Sequence, residues 1–158
     1  MSVQEQNKIA ARKIIEDVIG NADFDLARQL IHDDFRNLRT GLQGAVEVLG
    51  VQRNIRGDSA SSLGGFMTGL NVIRRSFPDW HHTVNNLIAE GDIVMGTWTL
   101  HATFSGEPFL GFNSNGAEVS KDEAGVLRFE DGKLKEFWGL SDSLEFIVAL
   151  GAQVSMPK

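Results

Sequence analysis

Apolar residues recur at spacings of three and four through the first half of the chain and at a spacing of two through the second half. Ala11, Ile14, Ile15 and Val18 mark one face of a first helix, which Gly20-Asn21 stops. Asp23 is placed to cap a second helix whose buried stripe is Leu26, Ala27, Leu30 and Ile31, broken at His32-Asp33-Asp34. Residues 35–40 alternate and predict a short strand. From Gly41 to Gly65 six glycines and the run Asp58 to Ser62 leave little periodicity. The pattern there allows a short helix over Ala45 to Leu49 and predicts a long loop over much of 50–65. Phe66, Leu70, Ile73 and Phe77 define a third helix, ended by Pro78 because the residue before a proline is pushed out of the helical region.

From residue 80 onward the period is two, and residues 80–88, 92–104, 117–130 and 133–140 read as strands. Glu90-Gly91-Asp92 turns the first pair, and Asp131-Gly132 predicts a tight type I′ hairpin between the last two. Asp142 opens a final helix, with Glu145 three residues on completing a capping box and Gly151 as C-cap. Leu144, Ile147 and Val148 are its expected buried face. Helices followed by an antiparallel sheet give the α+β class, and 158 residues suit one domain spanning 1–158.

Composition narrows the chemistry. The absence of cysteine removes thiol nucleophiles, thiolate metal sites and disulfide redox chemistry. A formal charge of −6 without a basic stripe makes nucleic acid an unexpected partner. The N-terminus is polar and then amphipathic, and no stretch approaches the ~20 apolar residues of a membrane span, so the expectation is a cytoplasmic protein with no membrane partner. There is no tyrosine to act as acid or oxyanion donor. The four histidines are scattered, and His81 and His82 point to opposite faces of a strand, so no metal site is expected. Neither GxGxxG, GxxxxGK[ST] nor GxSxG occurs, and no cofactor is expected.

What remains is the sheet. On 92–104 the residues Val94, Gly96, Trp98, Leu100, Ala102 and Phe104 share one face, and Met95, Thr97, Thr99, His101 and Thr103 the other. On 117–130 the face with Val119, Glu123, Gly125, Leu127 and Phe129 sets a carboxylate among apolar neighbours, where burial would raise its pKa and make Glu123 a candidate base. The competing reading is an exposed acid beside Lys121 and Asp122 at a fraying strand end. His82 is a base or a half-exposed strand residue, Asp142 an acid or a helix cap, and Trp98 and Trp138 are ligand contacts or core.

The order Ile31-His32-Asp33-Asp34-Phe35, Phe77-Pro78-Asp79, Ala89-Glu90-Gly91-Asp92, Gly106 with Gly111, Arg128 to Leu134, Trp138, Asp142 and Leu150-Gly151 resembles the SnoaL-like polyketide cyclase family, over roughly 7 to 151. The resemblance implies a cone-shaped α+β barrel, shared with scytalone dehydratase and ketosteroid isomerase, with a curved sheet around helices and an apolar pocket. Family cyclases close a ring of anthracycline-type polyketides by an intramolecular aldol reaction, without metal or cofactor. They use a His on the strand before the Asp-Gly hairpin and an Asp on the strand after it. Aligned on Arg128 and Asp131-Gly132-Lys133, those positions fall at Gly125 and Gly139, so this acid–base pair is missing.

A branch of the family that takes part in hydroxylating aromatic polyketides is the closer resemblance. It implies a cofactor-independent hydroxylase of antibiotic biosynthesis acting on a polycyclic aromatic substrate, with any reductant coming from a separate reductase. Gly125 and Gly139 would leave room in the pocket, Trp98, Phe104 and Trp138 would stack on the rings, and Leu127 would line the wall. Asn37 matches a cavity-lining Asn of the cyclases, and Glu123, His82 or Asp142 would be the base. Residues 44–65, longer than the cyclase segment, would form a lid. The alternatives are an aldol cyclase with relocated acid and base, and a non-catalytic module for a small hydrophobic ligand or for dimerisation. The face carrying Thr97, Thr99, His101 and Thr103 suits a sheet-to-sheet homodimer.

Overall fold

The computed structural model describes residues 1–50 and 62–157. Helix α1 (Val3–Lys13) starts at Ser2, whose hydroxyl accepts from Glu5 N–H, and continues as a π-helical turn over Ile14–Ile19. Ile14, Ile15 and Val18 are buried on the predicted face. Asp23 caps α2 (Phe24–Leu30) by accepting from Leu26 N–H at 2.9 Å. The first strand, β1 (Ile31–Arg39), begins four residues before the expected one, and Ile31 belongs to it rather than to the helix. Ile31 and Phe35 face the core, which draws the polar His32-Asp33-Asp34 into the strand between them. Helix α3 (Gln43–Val48) occupies the place allowed for a short helix. Helix α4 (Leu63–Ser76) starts earlier than expected, because Ser62 caps it by accepting from Gly65 N–H. Residues 51–61, which carry most of the expected loop and lid, lie outside the described residues.

The second half follows its period. Strands β2 (His81–Glu90), β3 (Ile93–Thr103), β4 (Glu118–Glu130) and β5 (Lys133–Ser141) form an antiparallel meander, and β1 adds beside β5 in parallel, giving the order β1-β5-β4-β3-β2. Asp131 and Gly132 both have positive φ, 49° and 76°, as a type I′ turn demands. The chain ends in α5 (Ser143–Leu150), closed by Gly151 in the left-handed region. The face α5 buries is Phe146, Ile147 and Leu150, whereas Leu144 and Val148 are exposed. Phe146 packs into an aromatic cluster with Phe77 and Phe109, and this rotates the helix away from the face the spacing suggested.

The helices cover one side of the curved sheet. Helix α1 and its π-helical turn lie on β2 and β3, α4 on β1, and α5 on β4 and α3. Two buried clusters result. One joins α1, α2 and α4 to Trp98, Leu127 and Phe137, and the other gathers Phe77, Trp80, Leu100, Phe104 and Phe146. Among the described residues no helix is long and apolar enough to cross a membrane.

Asp142 lies at the N-terminus of α5, exposed, and accepts from Glu145 N–H at 3.1 Å. Its own N–H goes to Asp122 O, so the expected return bond from Glu145 is replaced by a strand contact. The cap carries the prediction: Asp142→Ala should lower stability by about 1 kcal/mol in chemical denaturation, while Asp142→Asn, which keeps a capping oxygen, should stay near wild type.

Candidate functional site

A cavity of about 730 Å³ opens where the two buried clusters meet. Its floor is the sheet, through Asn37, His82, Trp98, Glu123, Phe137 and Gly139, and its roof is α4, through Phe66, Thr68, Leu70, Val72 and Ile73. Gly65 and Gly69, four apart on α4, line it as well. Side chains four apart share a helix face, so two glycines there leave that face without side chains and the space beneath it open. Sequence reasoning missed this wall because it treated the spacing of α4 only as a source of core residues.

The polar centre comes from strand register. Trp98 on β3 pairs with Glu123 on β4, which pairs with Ser141 on β5, and His82 on β2 pairs with Leu100, which pairs with Lys121. Directly paired residues point to the same side, so register alone brings His82, Trp98, Lys121, Glu123 and Ser141 together. A bulge after Val84, where Glu16 accepts from Val84 N–H at 2.8 Å, shifts the far half of β2 and leaves His82 facing inward. His82 Nε2 lies 3.0 Å from Glu123 Oε2, and Trp98 Nε1 donates to the same oxygen at 2.8 Å. Lys121 Nζ approaches the other oxygen, Oε1, at 3.5 Å and donates to Ser141 Oγ at 3.1 Å. Ser141 Oγ in turn donates to Gly41 O at 2.6 Å.

Glu123 is therefore buried, with 11% of its side chain exposed. Its pKa is moved down, however. Burial alone would raise it, as expected from the sequence, but the His82 hydrogen bond and charge, Lys121 and the Trp98 N–H together outweigh the desolvation. The carboxylate stays ionised and can only accept, so Nε2 of His82 is the donor in this contact. The cyclase positions at Gly125 and Gly139 carry no titratable group, yet the expected loss of any facing imidazole and carboxylate does not follow, because His82 and Glu123 meet inside the cavity. Among the described residues His82 Nδ1 is buried without a partner, as are Asn37 Oδ1, Thr40 Oγ1 and Trp80 Nε1, and all four residues line the cavity.

Of the predicted ligand contacts, Asn37, Trp98 and Gly139 line the cavity, and Phe104, Gly125, Leu127 and Trp138 do not. Phe104 stacks on Phe77 with ring centroids 5.1 Å apart, deep in the second cluster. Leu127 is wholly buried in the first cluster. Trp138 is on the outer face, 38% exposed, with the Arg39 guanidinium over its ring at 5.6 Å. The room expected at the two glycines is filled. A Cβ at Gly125 would stand 2.6 Å from the Trp98 ring and one at Gly139 2.8 Å from the Phe137 ring, so the glycines make space for two indoor aromatics that form the floor. Asp142 caps α5 and does not line the cavity.

Lys121 was passed over in the sequence. The signal was present: Lys121 lies two residues from both Val119 and Glu123, so strand alternation alone turns it inward with them. Among the described residues no group of three His, Cys, Asp or Glu side chains is arranged to hold a metal ion.

The lowered pKa of Glu123 fixes a pH dependence. A carboxyl held below its ordinary 4.5 adds stability that is fully present above that value and is lost as pH falls through the folded-state pKa. Denaturation between pH 6 and 3 should show this loss in the wild type, and Glu123→Gln should flatten that part of the curve.

Comparison with known proteins supplies the family. A SnoaL-like polyketide cyclase model matches residues 9–150. Similar solved structures include a protein from Jannaschia sp. CCS1 provisionally assigned as a SnoaL-like polyketide cyclase, at 20% identity and TM-score 0.77, with 98% of this chain and 97% of that one covered. IdmH from Streptomyces antibioticus, provisionally assigned as a polyketide cyclase, is 22% identical with TM-score 0.73 over 93% of this chain and 99% of its own. AclR from Streptomyces galilaeus, provisionally assigned as a hydroxylase, is 22% identical with TM-score 0.73 over 98% and 91%. No curated protein matches. The match over most of its length and the helix-covered curved sheet with an apolar cavity establish that the chain belongs to the SnoaL-like polyketide cyclase family.

Proposed function

We propose that the protein is a proton-transfer enzyme that enolises a polycyclic aromatic ketone of polyketide type and closes a ring by an intramolecular aldol reaction. The observation that carries this reading is the His82–Glu123 pair inside a mainly apolar cavity. Its carboxylate, Glu123, stands two residues from Gly125, the position that the family resemblance matches to a cyclase relay residue, on the same face of the same strand. This is the reading of a cyclase with relocated acid and base.

In this mechanism His82 Nδ1 takes a proton from a carbon next to a carbonyl, and Glu123 stabilises the imidazolium that forms. Trp80 Nε1–H, a buried donor without a partner among the described residues, holds the enolate oxygen, Thr40 Oγ1 binds a further oxygen of the substrate, and Asn37 Oδ1 accepts from a substrate hydroxyl. The enolate carbon attacks a second carbonyl of the same molecule, and the new alkoxide recovers the proton from His82. The apolar walls keep water away from the carbanion.

Hydroxylation, the reaction expected from the sequence, was favoured by an absent relay, and the His82–Glu123 pair removes that ground. It stands as a second reading because it starts from the same carbanion in the same apolar cavity, with dioxygen as oxidant and a separate reductase supplying electrons.

The proposal is tested with 2-tetralone in D2O. The protein should accelerate exchange of its α-protons, read by NMR, and His82→Ala should lower that rate by about 10²–10⁴-fold. An unchanged rate in the variant would overturn the role of His82. With a polyketide substrate, a product of unchanged mass or one water lighter supports ring closure, and uptake of ¹⁸O from ¹⁸O2 supports hydroxylation.

The sheet-to-sheet homodimer is part of the same proposal. Ile88, Met95, Val126 and Trp138 pair in a row across the outer face, next to Thr97, Thr99 and His101. Sedimentation at micromolar concentration should find a dimer, and a monomer would remove this element.

A further inference from the structure

Lys121 is a charged group of the site for which the proposed proton transfer has no use. Its side chain is fully buried and does not line the cavity. Three directions around its ammonium are filled: Ser141 Oγ at 3.1 Å, Glu123 Oε1 at 3.5 Å, and the Phe146 ring, whose centroid is 4.1 Å away. The two oxygens of Glu123 are divided, with Oε1 toward Lys121 and Oε2 shared by His82 and Trp98. Turning the carboxylate would break both sets of contacts. The other charged groups around the cluster are His82 from β2 and, at the start of α5, Asp142 and Glu145, whose fields also act on Lys121. Arg75 of α4 reaches the cavity, with its Nε 3.8 Å from Glu107.

We propose that Lys121 is a positioning residue: a buried ammonium behind the cavity wall that fixes the Glu123 carboxylate in one orientation and limits how tightly it holds a protonated His82. Only the catalytic consequence rests on the function proposed above; the electrostatic coupling stands without it. When His82 is charged, Glu123 divides its field between two cations, and the imidazolium gives up its proton more readily. Without Lys121 the imidazolium–carboxylate pair tightens. Burial drives the lysine pKa down, while Glu123, Asp142 and Glu145 oppose that fall, which fits an ammonium maintained by its carboxylate.

The test reads the coupling from both ends without substrate. The ¹³Cδ resonance of Glu123 is titrated in wild type, Lys121→Met and Lys121→Arg. The midpoint should rise by about one unit or more in Lys121→Met and return toward wild type in Lys121→Arg. Linkage requires the reciprocal result, so the ¹⁵Nζ resonance of Lys121 should titrate at lower pH in Glu123→Gln. An unmoved Glu123 midpoint in Lys121→Met, or an unmoved Lys121 in Glu123→Gln, overturns the proposal. If Lys121→Met does not fold, the Glu123→Gln arm decides alone. In the exchange assay Lys121→Met should shift the acid limb of the pH–rate profile upward by about one unit with KM unchanged, a split that loss of packing would not produce. Should the coupling be found while no variant or wild type catalyses exchange, the proposed function falls and the positioning role stands.

Discussion

Two charges set in an apolar interior govern this structure. Moving an ion out of water costs several kcal/mol even after relaxation, so a buried ammonium and a buried carboxylate are tolerated only where partners meet them with good geometry. Here the partners come from separate strands: His82 from β2, Trp98 from β3, Ser141 from β5, and the Gly41 carbonyl that receives the Ser141 hydroxyl. Slipping any of these strands by one residue would turn its contribution to the opposite face. Register, and therefore the cone that register builds, is tied to the compensation of Lys121 and Glu123.

The same constraint explains why the cavity is both apolar and chemically armed. Gly96, Gly125 and Gly139 pair in a row across three strands, and Trp98 and Phe137 lie in the space the last two leave. Gly65 and Gly69 put no side chain into the space between α4 and this aromatic floor. What remains is a space of a size suited to a small polycyclic molecule, with the ionic cluster at its edge. Charges act more strongly in such surroundings than in water, and the contacts of Lys121 and Glu123 hold both groups in one orientation.

The family relation and the altered wall fit together through strand period. Gly125 is two residues from Glu123, and two residues is one full period of a strand, so both lie on the same face. His82 answers Glu123 from β2, across Leu100 and Trp98.

Much of this was written in the chain itself. The change of period near residue 80, the Asp131-Gly132 turn, the caps at Asp23 and Asp142, the inward face of β3 and the opposite directions of His81 and His82 follow from local geometry, which depends only on near neighbours in sequence. Glu123 and Trp98 were legible as inward positions for the same reason, whereas Asn37 followed from the family resemblance and His82 was left between a base and a half-exposed strand residue. Their meeting was not legible, because pairing β2 with β3 and β3 with β4 fixes distances between residues 25 to 41 positions apart. Nor was the direction of the Glu123 pKa, since burial alone pushes a carboxyl up and only the assembled His82, Lys121 and Trp98 reverse it. The rotation of α5, the exit of Trp138 to the outer face and the filling of the glycine gaps by Trp98 and Phe137 were likewise settled by packing, where neighbours remote in sequence choose among faces that local periodicity leaves equivalent.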